Sequence, residues 1–331
     1  MHIPDGYLSP QTCAALGAAM VPVWAGAAWK TARQLETREV PLLALGAAFS
    51  FVIMMFNIPV PGGTQVHAAG ATLAAIVLGP WGACVALTVA LAIQAFVFGD
   101  GGIWALGANC FNIAFVMPFA GYFFYRLCRG SASADGKQST FAGAAAGYLA
   151  INLGALCMAV EFGLQPLLFH DAAGNPLYNP YPLEQALPAV ALAHLTLGGL
   201  AEAAVTAAAL GFAGRTLIRT ARAGEARPAV GRLWYGLGGL ALLCPLGLLA
   251  AGTAWGEWTG VEAEEIMRHV PAGLARLAGA WRHVPLPGYK LPGLERGFLP
   301  LAVGYILSAL AGVGLVVAIS RLVGRLLARK A

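Results

Sequence analysis

The chain has 331 residues, of which 59% are apolar and only 11% charged, where a soluble domain carries roughly 25%. So little charge excludes a chain that keeps its whole surface in water, and the expected solvent is lipid. The net charge of +5 is scattered over separate membrane-adjacent segments and forms no basic stripe, which argues against a nucleic-acid partner.

The first ten residues, MHIPDGYLSP, form a compact metal clamp in outline. The Met1 amine, the His2 amide nitrogen and His2 Nδ1 can close a five-membered and a six-membered chelate ring. Once the amide loses its proton, the three donors lie near one plane and leave one in-plane position open. Planar nitrogen coordination suits Ni(II) or Cu(II). The clamp requires Met1 to be the mature N-terminus, and a bulky residue at position 2 hinders removal of the initiator methionine. The plain alternative is a frayed terminus.

Nine apolar stretches approach the roughly 20 residues needed to cross a bilayer. They lie near 10–29, 41–57, 64–79, 80–98, 104–125, 141–165, 186–214, 233–253 and 298–319. Gly79-Pro80-Trp81 predicts a tight turn between the third and fourth, because proline ends one helix and opens the next. Lys30 follows the first apolar run instead of preceding it, so no removable signal peptide is expected. The reading is an all-α polytopic membrane protein of about nine transmembrane helices, with its N-terminus outside and its C-terminus cytoplasmic. In that topology 15 of the 20 basic residues fall in cytoplasmic segments at 30–38, 126–137, 215–232 and 321–330. The other five lie in one long outside loop, and long loops report orientation poorly.

Three parts are expected: a seven-span unit at 1–215, a basic cytoplasmic linker at 216–232, and a two-helix segment at 233–331. The outside region of that last segment is too small for a large core of its own and is expected to pack on the rest. Helix 1 carries small-xxx-small spacing at Ala14 and Ala18 and at Ala15 and Ala19. Such a face packs either internally or against a partner subunit.

Polar residues in apolar stretches mark candidate sites. His67 follows the helix-breaking loop NIPVPGGTQ, which can re-enter the bundle if it is buried in protein. It could fill the fourth position of the clamp or bond a carbonyl as a structural histidine. His194 and Glu202 sit eight residues apart, near one helix face. A charge at mid-membrane costs at least about 2.5 kcal/mol, so Glu202 needs a partner, with His194 one candidate, or a task; a hydrogen-bonded structural role is expected ahead of metal ligation. Asp100 lies in the glycine-rich turn FGDGG. Asn109 and Asn112 in GANCFN could bond across helices or orient His67 from behind. His170, His269 and His283 read as surface residues. The six cysteines show no C-x-x-C spacing and read as small buried residues. H-E-x-x-H, G-x-S-x-G and the phosphate-cradling G-x-x-x-x-G-K-[ST] are absent. ATP-driven movement of a solute would thus need another subunit to hydrolyse the ATP.

MHIPDGYLSP, PVPGGTQVHAAG, the helix pair around LGPWG, FGDGGIWALGANCFNIAFVMPFAGY and LAEAAVT resemble the CbiM/NikM family. These are substrate-capture (S) components of energy-coupling-factor transporters for cobalt and nickel. The resemblance covers residues 1 to about 220. The tail, with GTAWGEW and LPGYKLPGLERG, resembles a fused small partner subunit of CbiN/NikN or PDGLE type. The resemblance implies that Met1, through its amine, His2, through its amide and imidazole, and His67 hold Ni2+ or Co2+ as substrate, with no cofactor. It further implies a transmembrane coupling subunit and cytoplasmic ATPases as partners, in the inner membrane of a prokaryote. A family glutamate matches Glu202 without an assigned role. A membrane enzyme is disfavoured because the clamp fills all four planar positions. A metal-sensing or purely structural subunit is the remaining alternative.

Overall fold

The computed structural model describes residues 1–61, 64–131, 137–223, 227–250, 252–258, 260–279 and 283–328, with side chains left aside at 213–223, 227–230 and 232. Among these residues, seven helices of 18 to 32 residues are long and apolar enough to cross a bilayer.

Helix α1 (Pro10–Gln34) starts where Ser9 Oγ accepts from the Thr12 N–H and proline takes the first position. Helix α2 (Val40–Met54) follows, buried along most of its length. The Pro/Gly loop after it folds into a small antiparallel hairpin, β1 (Ile58–Val60) and β2 (Thr64–Val66), with Ile58 opposite Val66. Val60 and Val66 pack against Ala193 and so pin the hairpin inside the bundle. This hairpin is the exception to the expected all-α fold; Gly62 and Gly63 at its tip lie outside the described residues.

Helix α3 (Ala71–Ile93) is broken at Gly79, whose φ of 74° is left-handed, directly before Pro80. A straight helix from Ala71 to Phe98 would be about 42 Å long. Yet His67, just before it, and Asp100, just after it, both lie against His2. The chain therefore doubles back at Gly79, as the Gly79-Pro80-Trp81 turn predicts. The expected span at 64–79 needs correction. Residues 64–66 are strand and only 71–78 are helical before the break, about 12 Å of helix, too short for a roughly 30 Å hydrocarbon layer.

Helices α4 (Leu106–Asn109) and α5 (Met117–Arg129) flank a widened π-helical segment, Cys110–Val116. The long helix α6 (Lys137–Gly163) is continued by α7 (Gln165–Leu168). Helices α8 (Leu183–Ala193) and α9 (Gly199–Ala223) flank another π segment, His194–Gly198. A third π segment, Gln94–Phe98, ends the α3 span. Each carries a polar side chain into the bundle: Gln94, Asn112 and His194.

Helix α10 (Arg227–Leu243) tightens into a 3₁₀ turn, and its apolar stretch, Leu233–Leu249, is shorter than the other spans. Short helices α11 (Gly260–Met267) and α12 (Ala272–Ala278) lead to α13 (Phe298–Leu327). The expected basic linker at 216–232 falls largely on residues whose side chains are not described. Helix α13 lies against α2, where Tyr305 donates to the Met55 carbonyl at 3.0 Å. Tyr289 stacks on Phe98 with ring centres 4.6 Å apart, and Phe98 meets Phe51 at 5.5 Å. The segment between α10 and α13 covers the N-terminal residues: Tyr7 donates to the Trp258 carbonyl at 2.7 Å, and Gly6 abuts the Leu274 backbone.

Candidate metal centre

The N-terminal segment is threaded into the bundle, and Met1 and His2 are each only 2% exposed. Its backbone is held like an extra strand. The Ile3 N–H donates to Asn109 Oδ1 at 2.7 Å, while Asn109 Nδ2 and the Gly102 N–H donate to the Ile3 carbonyl at 3.0 and 2.8 Å. Asp5 accepts from the Ile103 and Ala105 N–H groups. Burial pushes the Asp5 carboxyl up, and those backbone bonds oppose the shift. Gly102 is required here, since a Cβ would fall 2.5 Å from the Asp5 nitrogen. Farther along, the Ser9 N–H donates to Gln165 Oε1 at 2.9 Å. Among the described residues, none accepts from the His2 N–H, so deprotonating that amide breaks no protein hydrogen bond.

His67 is presented directly after β2. Its Nδ1 lies 3.1 Å from the Ala68 carbonyl and its Nε2 3.3 Å from the Met1 nitrogen. A carbonyl can only accept, so Nδ1 carries the proton and Nε2 keeps a lone pair. Burial, then the Met1 ammonium, then His2 hold the His67 imidazole well below its ordinary pKa of 6.5, and the Ala68 bond opposes them. The His2 and His67 rings are 5.0 Å apart. The amine of Met1 and the imidazoles of His2 and His67 thus meet in one buried spot.

His2 is gripped from behind. Its Nδ1 is 3.4 Å from Asp100 Oδ1 and its Nε2 3.3 Å from Gln94 Oε1. Tyr289 donates to Asp100 Oδ2 at 2.5 Å, and Gln94 Nε2 donates to the Tyr289 oxygen at 3.2 Å. Burial, reinforced by the Asp100 charge, pushes the Tyr289 hydroxyl well above its usual range, so it stays a donor. The Met1 amine also donates to Glu257 Oε1 at 2.8 Å. Glu257 is placed by its neighbour Trp255, whose N–H donates to Thr64 Oγ1 at 2.8 Å.

The other expected residues take the structural or surface alternative that was open for each of them. Asn109 holds Ile3 and Asn112 donates to Glu161 Oε2 at 2.8 Å; neither is bonded to His67. Glu202 does not pair with His194. Its Oε2 accepts from the Ala69 and Gly70 N–H groups at 2.8 and 2.9 Å, at the start of α3, while His194 Nδ1 faces the Val190 carbonyl at 2.9 Å. His170, His269 and His283 are exposed. Gln94, Glu161, Gln165, Glu257 and Tyr289 were not anticipated. The signal for three of them was present: Gln94, Glu161 and Gln165 are strongly polar residues inside apolar stretches. Glu257 and Tyr289 lie in a polar segment with nothing local to single them out. Among the described residues no group of three or more His, Cys, Asp or Glu side chains could hold a metal. A metal held here would need main-chain nitrogens beside the two imidazoles.

Residues 2–217 match the CbiM family, described as "Cobalt uptake substrate-specific transmembrane region", and residues 231–329 match the PDGLE domain. A fused nickel transport protein NikMN of Rhodobacter capsulatus is 51% identical over 96% of this chain and 95% of its own length. A probable fused nickel transport protein LarMN of Lactiplantibacillus plantarum is 45% identical over 95% of this chain and 94% of its own. A crystal structure of a transition metal transporter superposes with a TM-score of 0.62 at 51% identity, over 68% of this chain and all of that one. A truncated transition metal transporter gives 0.61 at 54%, over 65% of this chain and 99% of that one. The chain therefore belongs to the CbiM family of metal transport proteins, as a multi-pass membrane transporter that carries a PDGLE domain after its CbiM region.

Proposed function

We propose that this protein captures Ni2+ or Co2+ from outside the cell in a planar four-nitrogen site. The donors are the Met1 amine, the His2 amide, His2 Nδ1 and His67 Nε2. The observation that carries the reading is the buried meeting of the Met1 nitrogen with His67 Nε2 at 3.3 Å, beside the His2 ring. His2 Nδ1 lies 3.4 Å from Asp100 Oδ1, so an ion bound there takes the place of that carboxylate contact. A planar site with an ionised amide favours Ni(II), and names of relatives include both nickel and cobalt transport.

The chain acts as the S component of an energy-coupling-factor transporter in the inner membrane of a prokaryote. A coupling subunit and cytoplasmic ATPases drive uptake, since the sequence has no phosphate-cradling loop. The outward face of α1, with exposed Ala14, Ala15 and Ala19, suits the coupling contact. The N-terminus is outside and the C-terminus cytoplasmic, with nine inserted segments counting the half-helix 71–78 and Leu233–Leu249. The unit at 1–215 carries the ion, and the segment at 233–331, joined through 216–232, covers it. Nickel-loaded protein is expected to be yellow and diamagnetic, as a square-planar d⁸ ion is. One residue added before Met1, or His2→Ala, removes an in-plane nitrogen and abolishes tight binding. An extended N-terminus that binds nickel as tightly as the native one overturns the clamp.

A further inference from the structure

We propose that His194 and Glu257 form a staging site that receives the ion beside the Met1 amine before the planar clamp closes; this rests on the clamp reading above. His194 sits at the first residue of the His194–Gly198 π segment, 5% exposed. Its Nδ1 faces the Val190 carbonyl at 2.9 Å, which fixes the ring proton there and leaves a lone pair on Nε2. That Nε2 is buried without a hydrogen-bond partner. His67 is anchored in the same way, with Nδ1 tied to a carbonyl and the Nε2 lone pair turned to the Met1 nitrogen. Metal-bound histidines usually anchor their second ring nitrogen in this way.

His194, Glu257 and Met1 all line one cavity of about 10 Å³, enough for a single water-sized guest. Glu257 Oε1 is already 2.8 Å from the Met1 nitrogen. Its side chain is 16% exposed whereas that of Met1 is 1%, so the carboxylate is the more accessible group. One imidazole nitrogen and one carboxylate oxygen make a weak donor pair, one that a stronger ligand set can displace. The ion needs such a hold, because a hydrated ion must be anchored before it can displace an amide proton. In this step two metal–water bonds break as bonds to His194 Nε2 and a Glu257 oxygen form. The Met1 amine then binds, the amide and amine protons pass to solvent, and His2 and His67 close the plane as His194 and Glu257 let go.

Two measurements on the purified full-length chain test this. The first is titration with Co2+ in a His67→Ala background, which cannot close the plane. Weak binding of one high-spin Co2+ is expected, reduced at least tenfold by adding His194→Gln or Glu257→Gln. No Co2+ binding, or binding indifferent to both substitutions, overturns the staging site. The second is stopped-flow nickel loading of the otherwise native chain, followed by the planar absorption band. His194→Gln and Glu257→Gln should each slow its rise at least tenfold, with His170→Ala as the control at native rate. Native loading rates in both variants overturn the proposal. Absence of the planar band in the native protein would instead count against the clamp itself, and the Co2+ titration decides the staging site separately.

Discussion

Glu202 is fully buried within a span, where a charge costs at least about 2.5 kcal/mol. Two hydrogen bonds to a charged group return roughly 1.5–3 kcal/mol each, and a helix N-terminus adds about 0.3–1 kcal/mol. The two bonds to Ala69 and Gly70 therefore offset the cost, and they fix the backbone two residues after His67. Glu202→Ala is expected to lower nickel affinity at least tenfold and to lower the melting temperature in detergent. Glu202→Gln keeps an acceptor oxygen and should recover most of the affinity; equal losses in both variants would show that the two bonds do not position His67. His67→Ala should weaken binding by well over tenfold in a competition titration, with His170→Ala, His269→Ala and His283→Ala near native. The pH dependence has a definite sign. Because the folded imidazole of His67 is depressed below 6.5, the unfolded state binds more protons there, and stability falls as pH drops below about 6.5. His67 is held neutral at pH 7 by that depression and gives up no proton on binding, whereas an amide nitrogen that binds a metal must lose its own. Affinity should still rise steeply from pH 6 to 8, and a flat profile there would remove the amide from the donor set.

At the scale of elements, polar backbone at membrane depth is tolerated only inside protein, and this bundle uses that allowance repeatedly. The β1–β2 hairpin and the half-helix 71–78 bring His67 inward, and the break at Gly79 returns the chain to Asp100. The three π segments carry Gln94, Asn112 and His194, and π turns recur at functional sites. Helix α13 joins this system through a close contact: a Cβ on Gly312 would fall 2.1 Å from Phe51 Cζ. Phe51 is fully buried and packs on Phe98 and Tyr289, so it has little room to retreat. Overpacking of this kind costs about 1–3 kcal/mol. Gly312→Leu should lower the melting temperature and, through Tyr289, also weaken nickel binding. A stability loss with native affinity would show that the ring cluster does not transmit to the site.

For the whole molecule, the PDGLE part is integral to the centre. Tyr289 donates to Asp100, which in turn faces His2, and Glu257 binds the Met1 amine. Tyr289→Phe removes one hydroxyl and leaves the ring stack, so a threefold to tenfold loss of affinity with an unchanged melting temperature is expected. The proposed orientation can be read from Cys128, an exposed cysteine at the end of α5 beside Arg126 and Arg129, whereas Cys13, Cys84, Cys110 and Cys244 are buried. A membrane-impermeant maleimide should label Cys128 in inside-out vesicles and not in intact cells. Labelling in intact cells would invert the topology.

Much of this was legible in one dimension, and the reason is local covalent geometry. Three nitrogens of Met1 and His2 lie within two residues, so their chelate rings follow from bond connectivity alone. The membrane environment follows from composition, and the reversal at Gly79-Pro80 from what those two residues permit. His67 was legible as a candidate because a helix-breaking loop precedes it. What holds those donors was decided only by packing. Met1 and Glu257 are 256 positions apart in the chain, and Gln94 and Tyr289 are 195 apart. Glu202 announced a task by its cost, but its partners Ala69 and Gly70 are backbone groups that no side-chain pattern marks. Asn109 turned out to serve Ile3 and not His67 for the same reason. Which main-chain N–H or carbonyl a buried polar group meets depends on how helices far apart in sequence come to lie side by side.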